Sequence, residues 1–336
     1  MIRFLIRRIA GAVVVVWIVS VVTFLIFQIA PALSNTSPVY YYVGKIPFKP
    51  GSTQLKLLEH RFGFDLPIWQ QYTNFIGGIF GKQISDGVNT PIDCPFPCFG
   101  YSFRQNELVS VLIGRAIPVS ASIIVGAAIL WLIFGVLVGT LSALKPGSIV
   151  DRVGMGGALA AVSLPIFFTG PLLLLVFQYT LGWIPLSTAY VSPFVNPLGW
   201  FQSMILPWVA LAFLFAALYA RLTRSNMIET MSEDFIRTAR AKGLSRQTVV
   251  VRHGLRAALT PIVTIFGIDL GTLIGSTVIT ESVFNLRGLG YLSIQSILQQ
   301  DLPVILGVTI IAAVALVVAN LLVDIAYGII DPRVTV

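Results

Sequence analysis

Apolar and polar positions fall in long blocks along this chain, not with the short periods of soluble helices or strands. Runs of about twenty residues poor in charge, enough to cross roughly 30 Å of hydrocarbon, occupy approximately residues 9–30, 118–144, 153–181, 204–220, 258–280 and 304–329. Six such runs predict an all-α polytopic membrane protein with both termini on one side. Pro165 and Pro171 predict kinks in the third run, and Pro207 one at the start of the fourth. Between the fourth and fifth runs lies a polar, basic segment, residues 232–256 (SEDFIRTARAKGLSRQTVVVRHGLR), in a chain that is only 11% charged.

Two stretches outside the runs predict structure of their own. Residues 31–114 are too polar to span. There Ser52 predicts a helix cap, the helix running through Arg61 and ending at Gly63, while Pro67 opens a second helix. Ile68, Tyr72, Phe75, Ile76 and Ile79 repeat at helical spacing, an apolar face for the outer membrane surface or the helical bundle. In the basic segment, Ser232 is placed to cap a helix of about three turns, with Glu233 and Asp234 in its first turn, Arg240 and Lys242 in its last, and Gly243 as a left-handed terminator. Ala239, Ala241 and Gly243 leave little bulk against an approaching partner, and Phe235 and Ile236 offer an apolar anchor. The plainer reading is a solvated connector with its charges in water.

Composition agrees with the span pattern. The chain has 336 residues, 56% hydrophobic, with mean hydropathy +0.87, well above the roughly 45–50% of soluble domains. The net charge of +8 comes from basic residues beside apolar runs with no aromatic-interleaved stripe, which fits a lipid membrane and not nucleic acid. With the N-terminus inside, the cytoplasmic set is Arg3, Arg7, Arg8, Lys145, Arg152, Arg221, Arg224, Arg237, Arg240, Lys242, Arg246, Arg252, Arg256 and Arg333. The outer set is Lys45, Lys49, Lys56, Arg61, Lys82, Arg104, Arg115 and Arg287, mostly in one long loop that the positive-inside rule discounts. Both termini are therefore expected in the cytoplasm. Arg3, Arg7 and Arg8 before the first run and Ala30-Pro31-Ala32 after it resemble a signal peptide with a small-residue cleavage site, but the run exceeds a signal-peptide core and Pro31 disfavours cleavage there, so it reads as a retained anchor. The expected division is a tail and first span at 1–30, an extracytoplasmic subdomain at 31–114, a core at 115–330 and a cytoplasmic tail at 331–336.

Candidate chemistry is sparse. Cys94 and Cys98 fall in the outer loop, where the compartment is oxidising, and read either as a short disulfide or as two thiols held apart by Pro95 and Pro97. The two histidines, His60 and His253, lie on opposite sides by this topology, which argues against a zinc site or a histidine-based hydrolase. The stretch GGIFGK (77–82) lacks the spacing of a phosphate loop and has Gln83 where a hydroxyl is needed. No cofactor, metal or catalytic set is expected in this chain, and any use of ATP falls to another. In the fifth run, Gly267, Gly271 and Gly275 share a face beside Asp269, Thr272, Ser276 and Thr277, which serves either close helix packing or a polar passage. Asp269 at that depth requires water or a partner. Asn320 and Asp324, four apart, suit interhelical hydrogen bonding.

The segment RTARAKG (237–243) and the following LSRQTVVVRHGLRAALTPIV resemble the cytoplasmic loop of ABC importer permeases, specifically the first permease subunit of dipeptide and oligopeptide uptake systems. FGFDLPIWQQY (62–72), GYSF (100–103), ARLTRSNMIE (220–229), GIDLGTLIGSTVITESVFNLRGLG (267–290) and NLLVDIAYGIIDPR (320–333) are similar to that family's landmarks in the same order. Arg237 and Arg256 stand where importers in general carry Glu and Pro, a departure shared with the peptide branch. Residues 83–98 fall outside the resemblance. It implies a type I importer permease fold in the bacterial plasma membrane, a second homologous permease, two cytoplasmic ABC ATPases using ATP and Mg, and an extracytoplasmic peptide-binding protein. It implies a coupling segment within 225–257, carried by Glu233, Asp234, Phe235, Ile236, Arg237, Thr238, Ala239, Arg240, Ala241, Lys242 and Gly243, with Arg246 and Arg252 as charge partners of the ATPase. Asp269, Thr272 and Ser276, with Glu281, Phe284 and Asn285 near the outer gate, would line the path. Nickel-chelate and glutathione importers use similar subunits. A stand-alone secondary transporter would show internal repeats and an ion site, and no clear repeat is present.

Overall fold

The computed structural model describes residues 2–33, 37–40, 52–85, 91–185 and 190–330. Five helices are long and apolar enough to cross a membrane, or six if one bent pair counts as a single span. The described residues fall into two compact units.

The first unit draws on residues 1–118 and 287–317. Helix α1 (Ile2–Leu33) carries the first apolar run. Helix α2 (Thr53–Phe62) starts where the Ser52 hydroxyl accepts the Leu55 N–H at 3.3 Å and stops at Gly63, whose φ of 73° is left-handed. Helix α3 (Ile68–Ile79) lays its apolar face on α1, where Phe24 meets the rings of Tyr72 and Phe75 at 5.4 and 5.9 Å. Its polar positions are paired too: Gln28 donates to Gln71 at 2.5 Å, and Ser20 and Tyr72 share a hydrogen bond.

Two hairpins follow that no alternation in the sequence announced, because their strands are too short to show a period of two. Strand β1 (Lys82–Ser85) pairs with β2 (Pro91–Cys94), and β3 (Tyr101–Ser102) with β4 (Glu107–Leu108). The Cys94 and Cys98 sulfurs are bonded, their Cα atoms 5.5 Å apart. The core of the unit gathers Phe99, Val109, Ile113 and Ala116 with Leu289 of α11 (Leu289–Gln299) and Val304 and Val308 of α12 (Leu302–Ile330).

Asp301, fully buried just before α12, accepts a hydrogen bond from the Ser102 hydroxyl of β3. Burial raises its carboxyl above the ordinary 3.8, against the pull of Ser102, the Val304 N–H and Arg104. The folded unit thus holds this proton more tightly than the unfolded chain, and its stability falls as pH rises from about 3.8 through the raised range. Asp301→Asn keeps an acceptor for Ser102 but has no proton to lose. Thermal denaturation followed between about pH 4 and pH 8 will show a flatter dependence in that variant.

The second unit comprises residues 119–286 with the described part of 318–336. Helix α4 (Val109–Leu144) starts nine residues before the expected 118, with Pro118 inside it, so residues 109–114 leave the outer loop for the helix. The third run is broken outright: α5 (Ile149–Ser163) meets the limb Ile166–Thr180, which α6 (Ile166–Leu173) begins, at 105°. Pro165 disfavours helical geometry in the residue before it, and Leu164 is extended at φ −99°, ψ 114°. After Pro171, the helix widens into a π turn over Leu174–Thr180.

Helix α7 (Pro197–Ser232) outruns the expected 204–220 at both ends. Asn196 caps its start by accepting the Gly199 N–H at 2.9 Å, and the polar stretch after Ala220 simply continues the helix. Pro207 lies inside it. Trp131, fully buried, stacks on Phe215 at 4.7 Å and meets the Phe266 ring edge at 5.8 Å. Helices α4 and α7 touch backbone to backbone at Gly139, where an added Cβ would sit 2.5 Å from the Ala220 carbonyl oxygen and 2.6 Å from the Thr223 Cβ.

Candidate coupling site

The basic segment folds as helix α8 (Asp234–Ala241), eight residues rather than three turns, and the cap is not Ser232. Ser232 belongs to the last turn of α7 and donates its hydroxyl to the Glu229 carbonyl at 2.6 Å. One extended residue, Glu233 (φ −68°, ψ 152°), separates the two helices. Its N–H closes α7 on the Thr230 carbonyl, and its carbonyl accepts the N–H groups of Ile236 and Arg237 at 3.1 and 3.3 Å. So tight a corner turns the chain without slack. The far end is a Schellman stop: Gly243 at φ 75° donates to Arg240 and Leu244 donates to Ala239. Ser245 then caps the next turn, α9 (Arg246–Thr248), which widens into a π turn over Val249–Leu255 and runs on as α10 (Arg256–Val283).

The two faces of α8 do different work. Ile236, fully buried, and Ala239, at 6% exposure, pack against Val249 and Met231 of the same chain. Ala239 therefore does not make room for a partner; its small side chain lets α8 lie close on its own support. The rest of its circumference carries Asp234, Phe235, Arg237, Thr238, Arg240, Ala241 and Lys242, all exposed, with Arg240 flanking the buried stripe on the side of Met231 and Val249. Phe235 is 45% exposed, a large apolar side chain on an otherwise charged face. Nothing lies within 4 Å of where a Gly243 Cβ would point. Arg237 reaches Asp234 at 3.3 Å in a fully solvated pair, and Arg246 and Arg252 are exposed.

Support for the segment comes from residues that the sequence reading passed over. Met227, Val250 and Ala258 form a small core with Ala143, Leu144, Met231 and Leu255, and an added Gly254 Cβ would meet the Met231 sulfur at 2.8 Å. Met227 and Met231, four apart on one face of a polar stretch, were a readable signal. The Asp151–Arg224 fork was not, because its partners are 73 residues apart: Arg224 donates from Nε at 2.6 Å and Nη2 at 2.8 Å, and the Gly147 N–H adds a third bond to Asp151 at 2.8 Å.

A family profile described as "Binding-protein-dependent transport system inner membrane component" matches residues 135–336, and the profile of that family's N-terminal region matches residues 1–124. The chain belongs to this family. Relatives of this transport component include a putative peptide transport system permease of Brucella abortus, 34% identical over 98% of both chains. The dipeptide transport system permease DppB of Lactococcus lactis is 33% identical over 99% of both, and that of Escherichia coli 32% identical over 99% of both. Among solved structures, the inward-facing MetNI methionine ABC transporter shares the fold at 18% identity and a TM-score of 0.53, covering 66% of this chain and 97% of that one.

Within this transport component, the residues expected to line a path all lie on α10 or in the turn that ends it. Tyr219 donates its hydroxyl to Asp269 at 2.7 Å, so the α10 carboxylate has a partner on α7. Glu281 is fully buried and accepts the Ser120 hydroxyl at 2.6 Å. Phe284, 2% exposed, belongs to the hydrophobic core, while Asn285 is exposed with a left-handed φ of 52°. Thr272 and Ser276 lie on α10, and their side chains are outside the described residues. Asn320 is exposed, and the side chain of Asp324 is likewise outside the described set.

Proposed function

We propose that this chain is a membrane-spanning permease subunit of an ATP-driven importer of dipeptides or oligopeptides, and that the outer face of α8 is where an ATPase subunit grips it. The carrying observation is the division of α8: Ile236 and Ala239 fasten the helix to its own chain, while Phe235 stays 45% exposed between charges. A helix so held moves only with the spans beneath it, so force applied to its outer face reaches α7 and α10 as a rigid-body displacement. Relatives named as peptide and dipeptide permeases over nearly the full chain support peptides as the cargo.

The partners are a second homologous permease, two ATPases supplied with ATP and Mg, and an extracytoplasmic peptide-binding protein. The α8 side of the membrane is the cytoplasmic one. Reconstitution with these partners should give dipeptide accumulation that needs both ATP and the binding protein. Accumulation driven by this chain alone would favour a secondary transporter instead.

Residues 31–108 face outward in this reading, and the Cys94–Cys98 bridge persists there. Closing so short a loop contributes about 2 kcal/mol by the chain-entropy relation. Alkylation of the denatured, unreduced protein should add no label, and reduction should expose two labelling sites. Labelling without reductant would place these thiols free.

A further inference from the structure

Beneath α8, the second unit holds a half-open cavity of about 380 Å³ between the ends of α4 and α7 and the turn into α10. Arg240 and Arg246 line it together with an apolar floor that includes Leu144, Met231, Val249 and Val250. Among the described residues, neither arginine has a carboxylate within ion-pair distance. The volume falls in the range of about 300–1,000 Å³ typical of small-molecule sites.

One wall of the cavity, Ala143 and Leu144, is the end of α4, a helix long and apolar enough to cross a membrane. Leu141 and Leu137 precede Leu144 by three and seven positions, on the same face of α4, and are 47% and 52% exposed. Two unpaired cations over an apolar floor that continues along a span match one kind of occupant, an anion with hydrocarbon attached. A free phosphate would leave the floor bare, and an acidic protein segment would not follow the span.

We propose that this cavity seats the headgroup of an anionic phospholipid from the leaflet at the α8 end of the spans, its phosphate between Arg240 and Arg246 and its acyl chains along Leu141 and Leu137. The lipid joins the coupling segment to the membrane surface, and the site gives Arg246 to the lipid in place of the ATPase contact that the family resemblance implies.

The test is native mass spectrometry of the full-length chain in detergent, offered phosphatidylglycerol and phosphatidylcholine with identical acyl chains. The two arginines favour retention of phosphatidylglycerol by roughly thirtyfold, at the usual strength of a basic side chain near an anionic lipid surface. Arg240→Gln with Arg246→Gln brings the ratio near parity. The double lysine variant, which keeps the charge, and Arg252→Gln, which changes a cation outside the cavity, both retain the preference. Equal retention by the native chain, or a preference that survives the double glutamine variant, overturns the proposal. So does displacement by millimolar inorganic phosphate, which marks a free-anion site. Displacement by added ATPase subunit overturns it as well, marking an acidic partner's contact.

Discussion

Replacing Phe235 with aspartate will abolish ATP-driven uptake while leaving the chain in the membrane at normal level. Phe235 contributes little to its own unit, being 45% exposed, so the substitution spares the fold. Covering the 45% of that residue still exposed is worth about 1 kcal/mol, under half the value for a whole side chain, and an unpaired carboxylate in its place adds a desolvation cost to the loss. The grip on α8 therefore weakens by at least about tenfold. Ile236→Asp is the contrasting case. Ile236 is fully buried against Val249 and Met231, so a charge there unseats the helix and lowers the amount of folded protein itself. Immunoblots of membranes, read beside transport of labelled dipeptide, separate the two outcomes.

The second large effect is structural. Gly139→Val will remove most of the folded protein, because its Cβ would fall 2.5 Å from the backbone oxygen of Ala220, an atom that no rotamer change can move. Overpacking costs about 1–3 kcal/mol where side chains can yield, and more where the obstacle is backbone. Gly156 of α5 is the control: nothing lies within 4 Å of its added Cβ, and Gly156→Ala should be neutral or slightly favourable through helix propensity. Size-exclusion profiles of detergent-solubilised variants will show loss of the monodisperse peak for the first and not for the second.

These examples mark what the chain disclosed in advance. The apolar runs, α2 with its Ser52 cap and Gly63 stop, the apolar face of α3 and the Gly243 terminator were all legible, because each rests on residues adjacent in sequence or one helical turn apart. Helix limits were not. Residues 109–117 and the stretch after Ala220 are helical although neither looks like a span, since hydropathy reports membrane depth and helical geometry continues beyond it. The fifth run's Gly267, Gly271 and Gly275 draw attention to small residues, yet it is Gly126 and Gly139 on the second run that lie hard against α7, the first under the Trp208 ring and the second on the Ala220 backbone oxygen. Contacts of that kind depend on which helices become neighbours, information absent from any single run. At the coupling segment, residue types identified the helix but not its two faces. Ala239 read as space for a partner, and only its packing on Val249 shows that it seats the helix on its own chain.

Whether force enters through the outer face of α8 is tested most directly by photo-cross-linking in the assembled importer, with a photoreactive residue placed in turn at Phe235 and Ile236. An adduct with the ATPase subunit from position 235, and only adducts within this chain from position 236, is the predicted result. No ATPase adduct at 235, or equal adducts from both positions, would contradict it.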